Sequence, residues 1–252
     1  MSKQKSSLEH RINTAAKWIA QSKYLVFFTG AGISTDSGIP DYRGPNGVWT
    51  RRDKGLPPPR MEKKISQMEP NDGHRIIKEL QDMGLLKFLI SQNIDNLHLK
   101  SGIHMKNIAE LHGNRMLMRC LNCHKQFPKK GFWNVDKWGD PSRKSPVHPN
   151  QPKCPECNGR IINSVVNFGD PMPRNELETS FYHSSLSDVF VVVGSSLVVT
   201  PAALLPKEAT NHGSKLIIIN QMETPYDNIT DLRFFENASE ILKEILKKIK
   251  KF

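Results

Sequence analysis

Four stretches of this 252-residue chain are apolar without interruption, and they restrict its fold more than any other feature: Tyr24 to Phe28, Phe88 to Ile90, Val189 to Val193 and Leu216 to Ile219. Runs this short are strand-sized, and because polar residues do not alternate with the apolar ones, both faces of each strand must be covered. Elsewhere apolar residues return at helical spacing, as at Leu8, Ile12, Ala15, Ala16 and Ile19 and again at Ile76, Ile77, Leu80 and Met83. Strands covered on both faces and separated by one-sided helices predict an α/β fold with a doubly wound parallel sheet. Near the end, Ile241, Leu242, Ile245, Leu246 and Ile249 form one stripe with lysines opposite. That pattern predicts a helix docked on a globular core, with a membrane-surface helix as the competing reading. No apolar run approaches the roughly 18 to 20 residues that cross a bilayer, so no membrane partner is expected.

At 37% hydrophobic residues, with four Trp and eleven Phe, the chain can build a core, which excludes collagen, mucin-like and disordered classes. Thirty-six Lys and Arg against 25 Asp and Glu give a formal charge of +11. Much of it crowds two places: Lys243, Lys247, Lys248, Lys250 and Lys251, and the stretch holding Lys125, Lys129, Lys130, Lys137, Arg143 and Lys144. Such charge serves solubility or an acidic partner and says nothing of the fold. Met1 to His10 has basic residues but no apolar core of a secretory signal, so an intracellular, reducing compartment is expected. The cytoplasm is the default, with a nuclear address left open by the basic tail.

Two segments break the alternation. Tyr42 to Pro70 carries Pro45, Pro57, Pro58, Pro59 and Pro70 and is predicted to be a long irregular, functional segment. Arg115 to Asn163 carries all four cysteines with Trp133 and Trp138 and reads as an inserted small domain. Its Cys120-x-x-Cys123 and Cys154-x-x-Cys157 pairs present four thiolates, a set that suits one structural zinc. The 30 residues between the pairs are more than a compact ribbon needs and imply a long loop. Disulfides are the alternative, disfavoured by a reducing compartment. Four cysteine ligands leave no open position for water, so the metal is not catalytic. His124 and His148 lie nearby as solvated residues.

Gly30-Ala31-Gly32-Ile33-Ser34 follows the first strand, where glycines let the backbone approach a pyrophosphate and a following helix N-terminus offers unpaired N–H groups. Alone this is weak, since Thr35 stands where the dinucleotide fingerprint has its third glycine, and a tight turn without ligand has the same appearance. Two further strand ends, Val193-Gly194-Ser195-Ser196 and Ile219-Asn220, strengthen the nucleotide reading, because ligands of doubly wound sheets sit at the carboxyl ends of strands. Asp41-Tyr42-Arg43-Gly44, Gln92-Asn93-Ile94-Asp95-Asn96 and Leu111-His112-Gly113-Asn114 supply more polar groups than plain turns need. A single histidine such as His112 is commonly structural, yet an ordinary imidazole takes a proton near neutral pH.

Taken in order, GAGIS, DYRG, QNIDNLH, LHGN, the paired CxxC, NFGD, GSS and IN resemble the sirtuins, the NAD-dependent protein-lysine deacylases, over Tyr24 to Phe235. The resemblance implies a Rossmann-like NAD-binding domain of residues 1–43, 71–114 and 164–252, with a small lobe of 44–70 and 115–163 that holds the zinc module. It implies that Gly30, Ala31 and Ile33 with Asp41 and Arg43 hold the phosphates and the nicotinamide end. Gln92 would contact the ribose, Asn93 position a water or ribose hydroxyl, and Asp95 fix the nicotinamide carboxamide. Gly194, Ser195 and Asn220 would bind the adenosine half, with Ser196, Gln221 and Ala238 beside them. His112 matches the catalytic histidine. In the implied reaction the acyl oxygen attacks the ribose carbon bearing nicotinamide, and His112 helps deprotonate the hydroxyl that attacks the resulting imidate. Water then releases lysine and O-acyl-ADP-ribose, so NAD is consumed as a co-substrate. Val166, Asn167, Phe168 and Gly169 match the segment that pairs with an acyl-lysine protein or peptide, a form of β-augmentation.

The chain departs from the commoner pattern at two points. Tyr42 replaces Phe, adding a hydroxyl beside the nicotinamide, and Asn167-Phe168-Gly169-Asp170 replaces the FGE form. Gly44-Pro45-Asn46-Gly47-Val48-Trp49 resembles the branch with a short cofactor loop, in which Trp49 would be an aromatic contact to NAD. That branch includes weak deacetylases, long-chain deacylases and mono-ADP-ribosyltransferases, so ADP-ribosyl transfer or NAD hydrolysis is the alternative within the enzyme class. From another class comes a zinc-bearing, NAD-sensing nucleic-acid or chromatin adaptor, motivated by the lysines between Lys125 and Lys144. A monomer is expected.

Overall fold

The computed structural model describes residues 7–167 and 169–252. In chain order, α1 (Leu8–Gln21) leads to β1 (Leu25–Thr29), then α2 (Val48–Asp53), α3 (Asp72–Asp82), β2 (Leu86–Ser91), α4 (Leu97–Lys100) and β3 (Ile108–Glu110). Next come β4 (Leu117–Cys120), β5 (Gln126–Pro128), α5 (Val135–Trp138) and β6 (Ile161–Asn163). The chain finishes with α6 (Arg174–Leu186), β7 (Val189–Val193), α7 (Leu205–Asn211), β8 (Lys215–Ile219), β9 (Leu232–Phe234) and α8 (Ala238–Ile249).

Among the described residues the main sheet has six strands in the order β3-β2-β1-β7-β8-β9, every pair parallel. The chain winds outward from β1 to β3, then returns to lay β7 on the other side of β1 and winds out again. The reversal opens a crevice at the carboxyl ends of β1 and β7. Strand period two splits the apolar runs between two cores. Leu25 and Phe27 of β1, Val189, Val191 and Val193 of β7 and Ile217 and Ile219 of β8 face one way, under α1, α3 and α8. Val26 and Phe28, Phe190 and Val192, and Leu216 and Ile218 face the other, under α6 and α7. Each such side chain taken from water contributes about 1.5–3 kcal/mol before conformational entropy is set against it.

The helices start where side chains can cap them. Ser7 Oγ accepts from the His10 N–H at the start of α1, Asn71 Oδ1 accepts from the His74 N–H at the start of α3, and Asn237 Oδ1 accepts from the Glu240 N–H at the start of α8. The α8 stripe of Ile241, Leu242, Ile245, Leu246 and Ile249 is buried in the first core. At the margins the helical pattern overreaches: Leu8 and Met83 are exposed, one at the first position of α1 and the other just past α3. The short edge strands β3 and β9 carry Glu110 and Arg233 and so escape a search for unbroken apolar runs. The proline-rich stretch also contains the short helix α2 and a 3-10 turn at Ile65–Gln67, and is irregular elsewhere.

A second, antiparallel sheet, β5-β4-β6, stands apart from the first. Its core is small: Met118, Cys120, Trp133, Cys154 and Ile161 are buried, with Phe127, Phe132 and Trp138 packed against them. Trp133 and Trp138 meet edge to face at 5.6 Å and 63°, and Trp133 Nε1 donates to the Gly139 carbonyl.

Many of the crowded lysines are paired within the fold. Lys243 reaches Asp72, Lys250 lies 2.6 Å from Glu79, and Lys248 lies 3.6 Å from Glu9, tying α8 to α3 and α1. Of the mid-chain group, Lys125 pairs with Glu156, Lys129 donates to Asn163 and Lys137 covers the Trp138 ring. No helix among the described residues is long and apolar enough to cross a membrane.

Candidate active site

At the crevice three backbones come closer than side chains allow. A Cβ on Gly30 would lie 2.8 Å from the Gly194 carbonyl oxygen, and one on Gly32 would lie 2.7 Å from Gly194 Cα. Gly194 itself has φ 64°, the left-handed region that favours glycine, and a Cβ there would strike the Ile33 nitrogen at 2.3 Å. The approach is fastened by the Gly32 N–H donating to the Gly194 carbonyl at 2.8 Å and the Gly194 N–H donating to Ile219 at 2.9 Å. The element after Gly30 is a single 3-10 stretch, Ala31–Ser37, ended by Gly38 at φ 85°, and not the α-helix expected there. Tight contact with the β7 end leaves no room for the wider helical turn.

Below these turns lies a buried polar network. Asp95 accepts from Ser34 Oγ at 2.7 Å and from the Leu97 N–H at 2.9 Å. Burial raises the Asp95 pKa, opposed by the hydrogen bonds from Leu97 and Ser34. Asn93 donates to the Gly30 carbonyl at 3.1 Å and to Ser34 Oγ at 3.2 Å, which fixes the β2 turn to the glycine turn. Ser195 Oγ donates to Gln92 Oε1 at 2.7 Å, so the β2 and β7 ends are joined as well. His112, just after β3, has Nδ1 2.9 Å from the Gln92 carbonyl. A carbonyl only accepts, so Nδ1 carries the hydrogen and Nε2 carries the lone pair. Burial lowers the His112 pKa against the opposing Gln92 carbonyl, so the neutral imidazole is favoured, with the Nε2 lone pair free to accept a proton. Gly113, at φ 77°, would strike the Ser164 carbonyl with a Cβ at 1.9 Å, so the histidine loop is locked against the chain leaving β6.

A cleft of about 440 Å³ collects these groups, a size suited to a ligand of cofactor dimensions. Gly30, Ala31, Asp41, Tyr42, Arg43 and Trp49 line it from the first turn and the segment beyond. Gln92, Asn93, Asp95 and His112 line the middle, and Gly194, Ser195, Ser196, Asn220, Gln221 and Ala238 line the far end. Val166, Asn167 and Gly169 form one rim, while Phe168 lies outside the described residues. Ile33 is the exception: its side chain is 1% exposed and packs in the first core, leaving only its backbone near the turn. Arg43 stacks over the Trp49 ring at 4.1 Å, and Tyr42 meets the same ring at 5.0 Å. Asp41 holds the Gly44 N–H at 3.0 Å, and burial raises its pKa against that bond.

The four cysteines are free thiols whose sulfurs all lie within 4.8 Å of one another. Cys120 and Cys157 sulfurs are 3.5 Å apart, as are those of Cys123 and Cys154. Tetrahedral zinc with Zn–S near 2.3 Å places its sulfurs about 3.8 Å apart, so the set fits one zinc ion. His124 and His148 are exposed and outside the cluster.

Sequence reasoning missed part of the site. Ser34 is 1% exposed and joins Asp95, Asn93 and His74. The His74 and His98 rings meet at 4.8 Å, tilted by 55°, and His98 Nε2 meets Thr29 Oγ1 at 2.9 Å. Burial drives His74 down to about 4 and His98 well below the usual histidine range, so both are neutral. The signal available was the LH dipeptide closing QNIDNLH and a lone His on an otherwise apolar helix face. The stretch from Leu197 to Thr200 also lines the cleft and had no polar residue to mark it before Thr200.

Comparison with known proteins agrees with this geometry. A sequence model of the Sir2 family matches residues 58–201. The NAD-dependent protein deacetylase of Caldivirga maquilingensis is 39% identical over 94% of this chain and 93% of its own length. The NAD-dependent protein deacylase of Thermococcus kodakarensis is 37% identical over 94% and 95%. Among solved structures, a Sir2 bound to acetylated peptide superposes with a TM-score of 0.71 at 30% identity, covering 94% of this chain and 98% of the other. With its six-stranded parallel sheet, its four-cysteine module and this likeness along nearly its whole length, the chain belongs to the Sir2 family.

Proposed function

We propose that this protein is an NAD-dependent protein-lysine deacylase that releases nicotinamide and O-acyl-ADP-ribose. One observation carries the reading: His112 is held as a neutral base, Nδ1–H toward Gln92, in a cleft it lines together with the glycine turns and with Val166, Asn167 and Gly169. The names of the relatives support it. NAD fits the cleft, because glycines at 30, 32 and 194 bring bare backbone to its floor, where a pyrophosphate needs close approach. Asp41, Arg43 and Trp49 would hold its phosphates and nicotinamide end, Asp95 its carboxamide, and Asn220, Gln221 and Ala238 its adenosine half. When bound, NAD supplies the ribose carbon that gives up nicotinamide and the hydroxyl that receives the acyl group.

The chain's own residues then do three things. His112 Nε2 takes a proton from that hydroxyl, a role that needs a neutral imidazole within hydrogen-bond reach. The Asn93–Gly30 and Ser195–Gln92 bonds hold the turns rigid, so the reacting groups meet without a fresh loss of orientational entropy. Val166, Asn167 and Gly169 with Leu197 to Thr200 would bracket the acyl-lysine and keep water out, which suppresses plain NAD hydrolysis. The division into a nucleotide domain of 1–43, 71–114 and 164–252 and a small lobe of 44–70 and 115–163 belongs to the same reading, as does a cytoplasmic location. The zinc is structural, held by Cys120, Cys123, Cys154 and Cys157.

The test is product analysis by mass spectrometry after incubation with NAD and acetyl-, succinyl- and myristoyl-lysine peptides. O-acyl-ADP-ribose together with one deacylated peptide is expected and names the preferred acyl group. Free ADP-ribose or an ADP-ribosylated protein alone would replace deacylation by hydrolysis or transfer.

A further inference from the structure

Arg119 of β4 is 4% exposed, and strand alternation turns it away from the thiolate core that receives Met118 and Cys120. Its Nη1 donates to Glu176 Oε2 at 2.9 Å, and Nη2 lies 2.7 Å from Oε1. Gln126, the residue directly opposite Arg119 on β5, donates to the same Oε1 at 3.2 Å. Glu176 sits in the first turn of α6, which packs on the main sheet through Leu177 and Phe181. One carboxylate of the nucleotide domain is thus gripped by two strands of the cysteine-bearing sheet.

The position of that grip along the chain gives it meaning. Arg119 is also paired with Ile162 of β6. The rim at Val166, Asn167 and Gly169 therefore lies between a foot on β6 and a foot on α6, with an ion pair across its base. The first foot is well tied: the Ser164 N–H donates to Leu117 and the Val166 N–H donates to His112. Past Val166 the described hydrogen bonds are local, between Asn167 and Asp170. The second foot is therefore placed by the start of α6, and the distance between the feet by Arg119 and Glu176.

We infer that the Arg119–Glu176 pair positions the substrate segment, setting affinity for the acyl peptide while leaving the nucleotide half of the cleft alone. The inference rests on the deacylase reading, in which this rim holds the acyl-lysine. Arg119 and Glu176 are positioning residues, since neither lines the cleft. The guanidinium meets the carboxylate through one hydrogen bond from Nη1 and an ion-pair contact from Nη2 that lacks hydrogen-bond geometry, and its planar group fixes direction as well as distance in a way that neither an amide nor an ammonium reproduces.

Steady-state kinetics with NAD and an acetyl-lysine peptide test it on Glu176→Gln, Glu176→Asp and Arg119→Lys in the zinc-loaded protein. Glu176→Gln should raise the peptide KM about tenfold, with the KM for NAD and kcat within about twofold of the parent and zinc content unchanged. Glu176→Asp keeps the charge but shortens the reach, and Arg119→Lys keeps the charge but loses the planar group, so both should show the same split to a smaller degree. If Glu176→Gln is insoluble, the apolar pair Arg119→Met with Glu176→Leu removes the buried charges together and should show the split in a folded protein. A lowered Tm with an unmoved peptide KM would overturn the inference in favour of a purely structural pair, as would equal rises in both KM values. Parent protein that turns over no acyl peptide would remove the deacylase reading and this inference with it. Parent turnover with an unmoved peptide KM removes the inference alone.

Discussion

The interior strands of the parallel sheet bury Val26, Phe27, Phe28, Phe190, Val191 and Val192 completely, between helices on both sides. The β5-β4-β6 sheet has five buried core residues, two of them metal-ligand cysteines, and its outward Arg119 is spent on α6. The first sheet is held by area taken from water, which many residues share. The second has too little apolar area to stand alone and concentrates its stability in four sulfurs, as small domains do. The difference teaches where damage should travel: injury to the large core is graded, while injury to the small one is all or none.

The strongest way to break this comparison is to take away the metal. Chelation, or Cys154→Ser, should remove on the order of 10 kcal/mol from the small sheet. Hydrogen exchange should then show β4, β5 and β6 losing protection while β1, β7 and β8 keep theirs. A single melting event for the whole chain would merge the two regions. Next in size is His112→Ala, expected to lower acyl transfer by roughly 10²- to 10⁴-fold. Both sheets, zinc content and NAD binding should be intact, since the ring makes one described hydrogen bond. Turnover close to that of the parent would disprove the assigned role. Phe27→Ala should cost about 3–5 kcal/mol by leaving a cavity in the first core, lowering Tm without releasing zinc. Zinc lost in parallel with Tm would show that the sheets unfold together.

The smallest effect is a pH slope, read from chemical denaturation. Burial lifts the Glu110 carboxyl to about 8, despite the hydrogen bond from Asn114. Its stabilising contribution is complete below the ordinary carboxylate pKa of 4.5 and fades as pH rises to about 8, because only the unfolded chain ionises in that window. His74 works the other way: held near 4 by burial, it favours the folded state above 6.5 and loses that advantage as pH falls toward 4. Glu110→Gln should flatten the alkaline limb and leave the acid limb. An unchanged alkaline limb would mean that Glu110 is not the titrating group.

Much of this was legible in the chain. Unbroken runs such as Val189 to Val193 read as strands covered on both faces, and the stripe from Ile241 to Ile249 favoured a docked helix over a membrane-surface one, as its burial in the first core bears out. The paired cysteines gave the metal cluster, because two short turns bring their sulfurs together whatever the loop between them does. What escaped depended on packing between distant segments. Ile33 reads as part of a phosphate turn, yet an isoleucine beside a buried sheet is drawn into the core. Ser34, His74 and His98 form a network only after α3 and α4 are packed against the glycine turn. Arg119 and Glu176 are 57 residues apart in sequence, and no local pattern announces their pairing.

The tryptophans convert this architecture into a spectroscopic readout. Indoles 5.6 Å apart and inclined at 63°, as Trp133 and Trp138 are, have transitions that couple, so the small sheet should contribute a circular-dichroism band of its own. Trp49 lies by contrast in the cleft under Arg43, where an arriving ligand alters its surroundings. With the fourth indole, Trp18, packed against the first core as a constant background, a change in Trp49 emission and the coupled absorption of Trp133 and Trp138 would let ligand arrival and metal departure be followed in the same cuvette, without a label.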